Sequence, residues 1–296
     1  MKAGYIGVVG LPNVGKSTLT NFLCGAKVGI TSNKPQTTRK NILGVKTKDD
    51  EQVVFIDTPG FIQAEKGLNA FLESQWRRVL EDVDGLVFVL SLDSRKESVE
   101  RTFTMIETTN KPFVVVITKT DMNESERLYI LEEELKKRDV KYYKSKRLGK
   151  TQNLSLSPKF SDALSAMLPE TDHFYYDSDI YTTQTLRDLS SEIILETVFR
   201  NLSNELPYES CVMVRDFKDE NTLYKIYADI LVSKERYKKI VVGRGGQTIK
   251  RIGTESRKTL EKEFSTKIFL DLNVKVKENW NKKPSQLREA GYYEQG

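Results

Sequence analysis

Gly10-Leu11-Pro12-Asn13-Val14-Gly15-Lys16-Ser17 decides how the first half of this chain folds. Two glycines, a lysine and a hydroxyl stand at the Walker A spacing. The stretch follows an apolar run, Tyr5-Ile6-Gly7-Val8-Val9, and precedes a helical pattern from Lys16 to Leu23. That is the strand–loop–helix context in which such a loop holds phosphate. Gly10 and Gly15 let the backbone curl with its N–H groups inward. The helix N-terminus adds partial positive charge. Lys16 then reaches the β and γ phosphates, and Ser17 offers an oxygen to Mg²⁺. A tight glycine turn capped by a serine is the plain alternative.

Working outward, three more apolar runs follow: Val53–Ile56, Gly85–Leu90 and Phe113–Ile117. Continuous apolar runs predict parallel strands covered by helices on both faces. Helices are expected over Lys16–Leu23, Leu68–Leu80, Ser98–Thr108 and Glu124–Lys137. In the last, Leu128, Leu131 and Leu135 recur at helical spacing. Ile42–Lys48 reads as an edge strand. The predicted fold class is α/β, a P-loop domain with a mostly parallel sheet, over residues 1–170.

Two further elements stand at strand ends. Asp57-Thr58-Pro59-Gly60 follows the second run. Asp57 is placed to hold Mg²⁺ through a water, and the Gly60 N–H to bond the γ-phosphate, so the loop beyond it reports the nucleotide state. Thr118-Lys119-Thr120-Asp121 follows the last run. A carboxylate accepts two N–H bonds from guanine, whereas adenine offers no matching pair. Asp121 is therefore expected to select guanine, with the aliphatic part of Lys119 over the base. A charged turn with Asp121 near a helix cap is the bland reading.

Composition narrows the rest. Cys24 and Cys211 have no metal spacing and make a poor disulfide framework, and the one histidine, His173, argues against a histidine-bound zinc. No apolar run reaches about 18 residues, and no secretory signal is evident, so a cytoplasmic protein is expected. The net charge is +5, but Lys234–Lys283 alone carries 15 basic against six acidic residues, leaving the remainder acidic. Such a basic region attracts phosphate backbones; a solvated face is the other reading.

Beyond Pro169 the pattern changes. Residues 171–189 read as a linker, and residues 190–283 as a smaller α+β domain, followed by a tail, 284–296. A helix is expected from near Ser190, with Ile193, Ile194, Thr197 and Val198 forming an apolar stripe. Strands are expected at Ser210–Phe217, Leu223–Ser233 and Lys267–Val276, with a helix over Gln247–Phe264. Before that helix stands Gly243-Arg244-Gly245-Gly246, a Gly-x-x-Gly turn in the basic region. It fits the clamp that holds about four nucleotides of single-stranded RNA in a KH domain. On its own, a helix-initiating turn is the commoner meaning.

Taken together, these motifs resemble the bacterial Era family of GTPases, in the translation-factor-like class. The resemblance rests on Gly10–Thr18, on Ile30–Arg39 (ITSNKPQTTR), on Asp57–Gly60 and on Thr118–Asp121, and continues into a type II KH domain with Leu206-Pro207-Tyr208 near its start. It implies that Thr38, with Thr37 as a rival, joins Mg²⁺ in the triphosphate state. It implies that Asn13 serves stimulation by a monovalent cation such as K⁺. Phe61 stands where small signalling GTPases carry a water-orienting glutamine, which implies slow intrinsic hydrolysis. The catalytic set is then Lys16, Thr38, Asp57 and Gly60.

The resemblance also implies the 3′ end of 16S ribosomal RNA as partner, a role in 30S subunit maturation, and peripheral contact with the cytoplasmic face of the inner membrane. A monomer is expected. Two departures stand out. Thr118 occupies the family's asparagine position, so weaker nucleotide binding is expected. The segment that closes over guanine is either Ser145-Lys146-Arg147 or Ser155-Leu156-Ser157. An ATPase that remodels RNA, and an RNA-binding assembly protein with a relic nucleotide site, are the competing readings. Asp121 speaks against the first, and intact Lys16, Ser17 and Asp57 against the second.

Overall fold

The computed structural model describes residues 1–31, 37–61, 67–122, 124–147, 154–203, 205–282, 284–290 and 292. Ser32 to Gln36, part of the family-like ITSNKPQTTR stretch, lie outside the described residues. The chain divides into two compact units. The first takes in Met1–Thr31, Thr38–Gln63 and Leu72–Thr183, and the second is mainly Gln184–Gly296.

The first unit is built on a six-stranded sheet. Its strands are β1 (Lys2–Val9), β2 (Ile42–Lys48), β3 (Glu51–Asp57), β4 (Gly85–Ser91), β5 (Phe113–Thr118) and β6 (Tyr142–Lys144), in the order β2-β3-β1-β4-β5-β6. Only β2 runs antiparallel to its neighbour. Helices α1 (Lys16–Cys24), α2 (Gly67–Asp82), α3 (Lys96–Thr108), α4 (Ser125–Lys137) and, further on, α5 (Lys159–Ser165) accompany the sheet. The continuous apolar runs have the cause expected of them. Val8, Val87, Val89 and Val116 pack into one core, while Val9, Leu86, Phe88 and Val115 pack into another. Both faces of the central strands are thus buried, as crossover helices require. A small hairpin, β7 (Lys146–Arg147) with β8 (Leu154–Ser155), follows β6. Neither it nor β6 stands out as an apolar run.

The expected linker needs correcting. Its first part, through Thr183, belongs to the first unit. Gln52 is fully buried, and its amide oxygen accepts the N–H groups of Tyr175 and Tyr176, while its nitrogen donates to the Tyr176 carbonyl. Tyr175 stacks on Tyr5 with ring centroids 5.2 Å apart. The Val45 N–H donates to Tyr181, and the Thr182 hydroxyl to Leu43, on the free edge of β2. An open sheet edge and a buried amide supply hydrogen bonds that polar, aperiodic sequence does not advertise.

The second unit contains α6 (Leu186–Asn201), β9 (Ser210–Asp219), β10 (Leu223–Val232), α7 (Glu235–Val242), a 3₁₀ turn (Arg244–Gly246), α8 (Gln247–Phe264), β11 (Lys267–Val276) and α9 (Pro284–Glu289). The sheet order is β11-β10-β9, with β10 parallel to β11 and antiparallel to β9. Helix α6 starts earlier than the expected Ser190. Thr185 and Asp188 form a capping box there, which satisfies two end N–H groups at once. Helix α7 was not anticipated, because Val241-Val242 reads equally well as strand. In the tail, α9 forms and Leu287, Ala290 and Tyr292 are buried. Trp280 is fully buried, donates from its indole N–H to the Glu209 carbonyl at 3.0 Å, and stacks near Tyr292. It is a packing residue.

Candidate nucleotide site and RNA-binding turn

Every motif of the first unit lies at the carboxyl edge of its sheet. The phosphate loop follows β1, Asp57 ends β3, Asp93 follows β4, Thr118 ends β5, and Ser145 follows β6. Ligands of open α/β sheets bind at that edge, beside the strand where the connections reverse direction. Here β1 is that strand, flanked by β3 and β4.

The phosphate loop has the conformation its glycines permit. Gly10 and Gly15 have φ of 149° and 98°, and a Cβ on Gly10 would stand 2.6 Å from the Val89 carbonyl oxygen. Asn13 is exposed, with φ of 65°. Lys16 is buried, and its ammonium donates to the Leu11 carbonyl at 2.9 Å, across the loop. Burial pulls Lys16 down to about 8, against the pull of Asp57. Of the two candidate threonines, Thr38 has its hydroxyl 2.8 Å from that of Ser17. Asp57 is fully buried beside them, and neither carboxylate oxygen has a hydrogen-bond partner among the described residues. Burial pushes its carboxyl up to about 6, although the nearby Ser17 hydroxyl, the Lys16 charge and the Thr38 hydroxyl all pull it back.

A buried, unpartnered carboxylate beside two hydroxyls is a hard oxygen set that suits Mg²⁺ held jointly with phosphate oxygens. Two residues missed in the sequence shape this corner. A Cβ on Gly29 would stand 3.1 Å from Asp57 Oδ2, so glycine keeps space beside the carboxylate. The Asn21 amide fixes that turn, accepting from the Val28 and Gly29 N–H groups and donating to the Gly29 carbonyl. An asparagine within a helix, eight residues before a glycine, was the available signal.

The loop beginning at Asp57 rests directly on the phosphate loop. Thr58 donates to the Val8 carbonyl at 2.8 Å, and the Phe61 N–H to the Gly10 carbonyl at 3.1 Å. A Cβ on Gly60 would stand 2.5 Å from Pro12 N. Phe61 packs on Trp76, with ring centroids 4.7 Å apart.

At the base end, the short side chain of Thr118 still reaches the phosphate loop. Its hydroxyl is 2.6 Å from the Val14 carbonyl and 3.1 Å from that of Leu90. With one proton to give, it serves chiefly the shorter contact, so the phosphate loop is tied to β5 without an amide. Lys119, at φ of 58°, donates from Nζ to the Asn13 carbonyl at 3.1 Å and to both Asp93 oxygens at 2.8 and 3.1 Å. Asp121 Oδ1 accepts the Arg147 N–H at 3.0 Å. Thr120 donates from its hydroxyl to the Ser145 carbonyl at 3.0 Å. Of the two candidate closing segments, Ser145-Lys146-Arg147 therefore lies against Asp121. The other joins it indirectly, since Ser155 pairs with Lys146 across the β7–β8 hairpin.

In the second unit, Gly243, Gly245 and Gly246 all have positive φ, at 76°, 57° and 77°. A Cβ on Gly243 would collide with Thr248 Oγ1, whereas one on Gly245 or Gly246 would meet nothing within 4 Å. Gly243 is thus required by packing, and the other two leave an open backbone surface. Arg244, Lys250, Arg251, Arg257 and Lys258 are exposed. Ile252 of α8 is fully buried in the core. Ile240, on the unforeseen helix α7, is 52% exposed close to the turn.

A phosphate loop, a Mg²⁺-type oxygen set and a guanine-type aspartate, followed by a helix-flanked Gly-x-x-Gly unit, define a P-loop GTPase carrying a KH domain. The family model described as "50S ribosome-binding GTPase" matches residues 5–119, and the KH domain model matches residues 196–281. The chain is 38% identical to the GTPase Era of Pseudomonas fluorescens (strain Pf0-1) over 98% of its length and 97% of that protein. It is 37% identical to GTPase Era of Pseudomonas aeruginosa, over 98% and 95%. Among solved structures it is similar to a point variant of Aquifex aeolicus Era bound to GDP·AlF₄⁻, with a TM-score of 0.90 and 31% identity over 99% of this chain and 100% of that one. A second similar structure is Era in complex with MgGDPNP and nucleotides 1506–1542 of 16S ribosomal RNA, with a TM-score of 0.89 and 32% identity over the same shares. This chain belongs to the Era family of GTPases. Among its described residues, no helix is long and apolar enough to cross a membrane.

Proposed function

We propose that this chain is a GTP-driven RNA-binding switch that holds the 3′ end of 16S ribosomal RNA during maturation of the 30S subunit. The observation that carries the reading is one corner of the first unit, where Lys16, Ser17, Thr38 and unpartnered Asp57 meet. GTP docks with its phosphates along Gly10–Thr18 and its base between Lys119, Asp121 and the 145–147 segment. Mg²⁺, when bound, neutralises charge that develops on the phosphates; Ser17 and Thr38 would hold it directly and Asp57 through a water. Lys16 leaves the Leu11 carbonyl for the phosphates, and the Gly60 N–H orients toward the terminal one. Phe61 has no group to polarise water, so turnover without a stimulus is slow, and the family likeness supports a K⁺ effect through Asn13.

RNA binds at Gly243–Gly246, where open backbone and Arg244 meet the nucleotide chain. A ligand shifts a two-state equilibrium only by its differential affinity, so GTP must favour the RNA-competent arrangement. A cytoplasmic location with peripheral contact at the membrane's inner face belongs to the same reading and rests on family likeness alone. The test is GTP turnover with and without a single-stranded fragment of the 16S 3′ end, in K⁺ and in Na⁺, with ATP as competitor. Turnover of GTP stimulated by RNA or K⁺, and resistant to ATP, is expected. Absence of turnover under all conditions leaves an RNA-binding protein with a relic site; equal competition by ATP makes it an ATPase.

A further inference from the structure

Asp93 belongs to none of the motifs that mark the nucleotide site, yet it is tied to two of them, to Thr118–Asp121 directly and to the phosphate loop through Lys119. The turn that carries it is anchored on two sides. The Leu92 N–H donates to the Thr118 carbonyl at 3.1 Å, and Arg127 of α4 donates to the Ser94 carbonyl at 2.7 Å. The buried Ser91 hydroxyl donates to Asp93 Oδ1 at 2.5 Å and so fixes the carboxylate plane. Both carboxylate oxygens then face the Lys119 ammonium, whose third acceptor is the Asn13 carbonyl. All three ammonium protons have acceptors. The lysine chain is drawn from the Thr118–Asp121 element across to the phosphate loop. Partial burial raises the Asp93 carboxyl, but the Lys119 ammonium and the Ser91 hydroxyl outweigh it and hold the group below the ordinary carboxylate value.

An ion pair this open to water contributes little to folding. Its consequence falls on binding. A free lysine chain must be ordered each time a base docks against it, and that ordering subtracts from affinity. A chain already ordered by Asp93 does not carry that cost.

The geometry points to Asp93 as a positioning residue for guanine-nucleotide binding, acting through Lys119. This rests on the reading of the first unit as a GTP site. The test is a double-mutant cycle on the full chain: equilibrium titration with fluorescently labelled GDP and Mg²⁺ for wild type, D93A, K119A and D93A/K119A, alongside thermal melts. D93A weakens GDP binding about three- to tenfold, mainly through faster dissociation. In the double variant the loss is no greater than in K119A alone, because Asp93 has nothing left to position. D93N, which keeps the shape and the Ser91 partner, is carried through the same cycle in case D93A folds poorly, and gives a smaller loss with the same dependence on Lys119. Wild-type-like affinity in D93A, or losses that add between D93A and K119A, would overturn the assignment. A wild-type chain that fails to bind GDP overturns the GTP-site reading itself, an outcome distinct from either.

Discussion

Replacing Thr118 with valine keeps the shape of the side chain and deletes one hydroxyl. That hydroxyl is 2.6 Å from the Val14 carbonyl in a buried setting, so the substitution leaves a buried acceptor without its partner. Such an orphan costs about 1–3 kcal/mol. Valine adds no compensating apolar gain, because Thr118 is already only 6% exposed and its methyl already packs beneath Gly15. Part of the cost destabilises the fold, and part appears only when the phosphate loop must hold its N–H groups inward around a ligand. If half falls on binding, the dissociation constant for GDP rises about two- to tenfold. T118N is the informative partner variant, since its amide can also donate to Val14, and it keeps at least wild-type affinity. The assay is titration with a fluorescent GDP analogue and Mg²⁺, with dissociation rates by stopped flow and melting curves on the same samples. T118V that binds within about twofold of wild type, with an unchanged melting temperature, would refute the claim that Thr118 braces the loop.

Other outcomes follow from the same geometry. G60A places a methyl against Pro12 backbone at 2.5 Å. Crowding of this kind costs about 1–3 kcal/mol, so single-turnover GTP hydrolysis should fall about five- to 150-fold while GDP affinity changes less. G246D puts a charge and a strained residue at φ of 77° on the open backbone. RNA affinity by gel shift or anisotropy should fall at least about tenfold with basal GTP turnover retained. Asp57, at about 6 against an ordinary 3.8, holds its proton more tightly folded than unfolded, so this group's contribution to the stability of the nucleotide-free protein grows as pH falls from about 6 toward 4. Mg²⁺-dependent nucleotide affinity, which needs the carboxylate, should run the opposite way, flat above about pH 6 and falling up to about tenfold per unit below it. Calorimetry across that range, with and without Mg²⁺, checks both signs.

What could be read directly from the chain was local. Gly10–Ser17 between an apolar run and a helix, the alternation of Lys267–Val276 and the Gly-x-x-Gly turn each carry their meaning in neighbouring residues, because backbone conformation and burial period are set over a few positions. The boundaries of α1, β5, α8 and β11 fall within a residue or so of where those patterns put them. Tertiary structure alone decided which distant groups meet. Ser17 and Thr38 are 21 residues apart, Asp93 and Lys119 are 26, and Val14 and Thr118 are 104, yet all converge because parallel strands deliver their carboxyl ends to one edge. The same holds for residues 170–183, whose polar sequence looks like a linker until the buried amide of Gln52 and the open edge of β2 supply partners. Strand order, which no local pattern encodes, makes these sites.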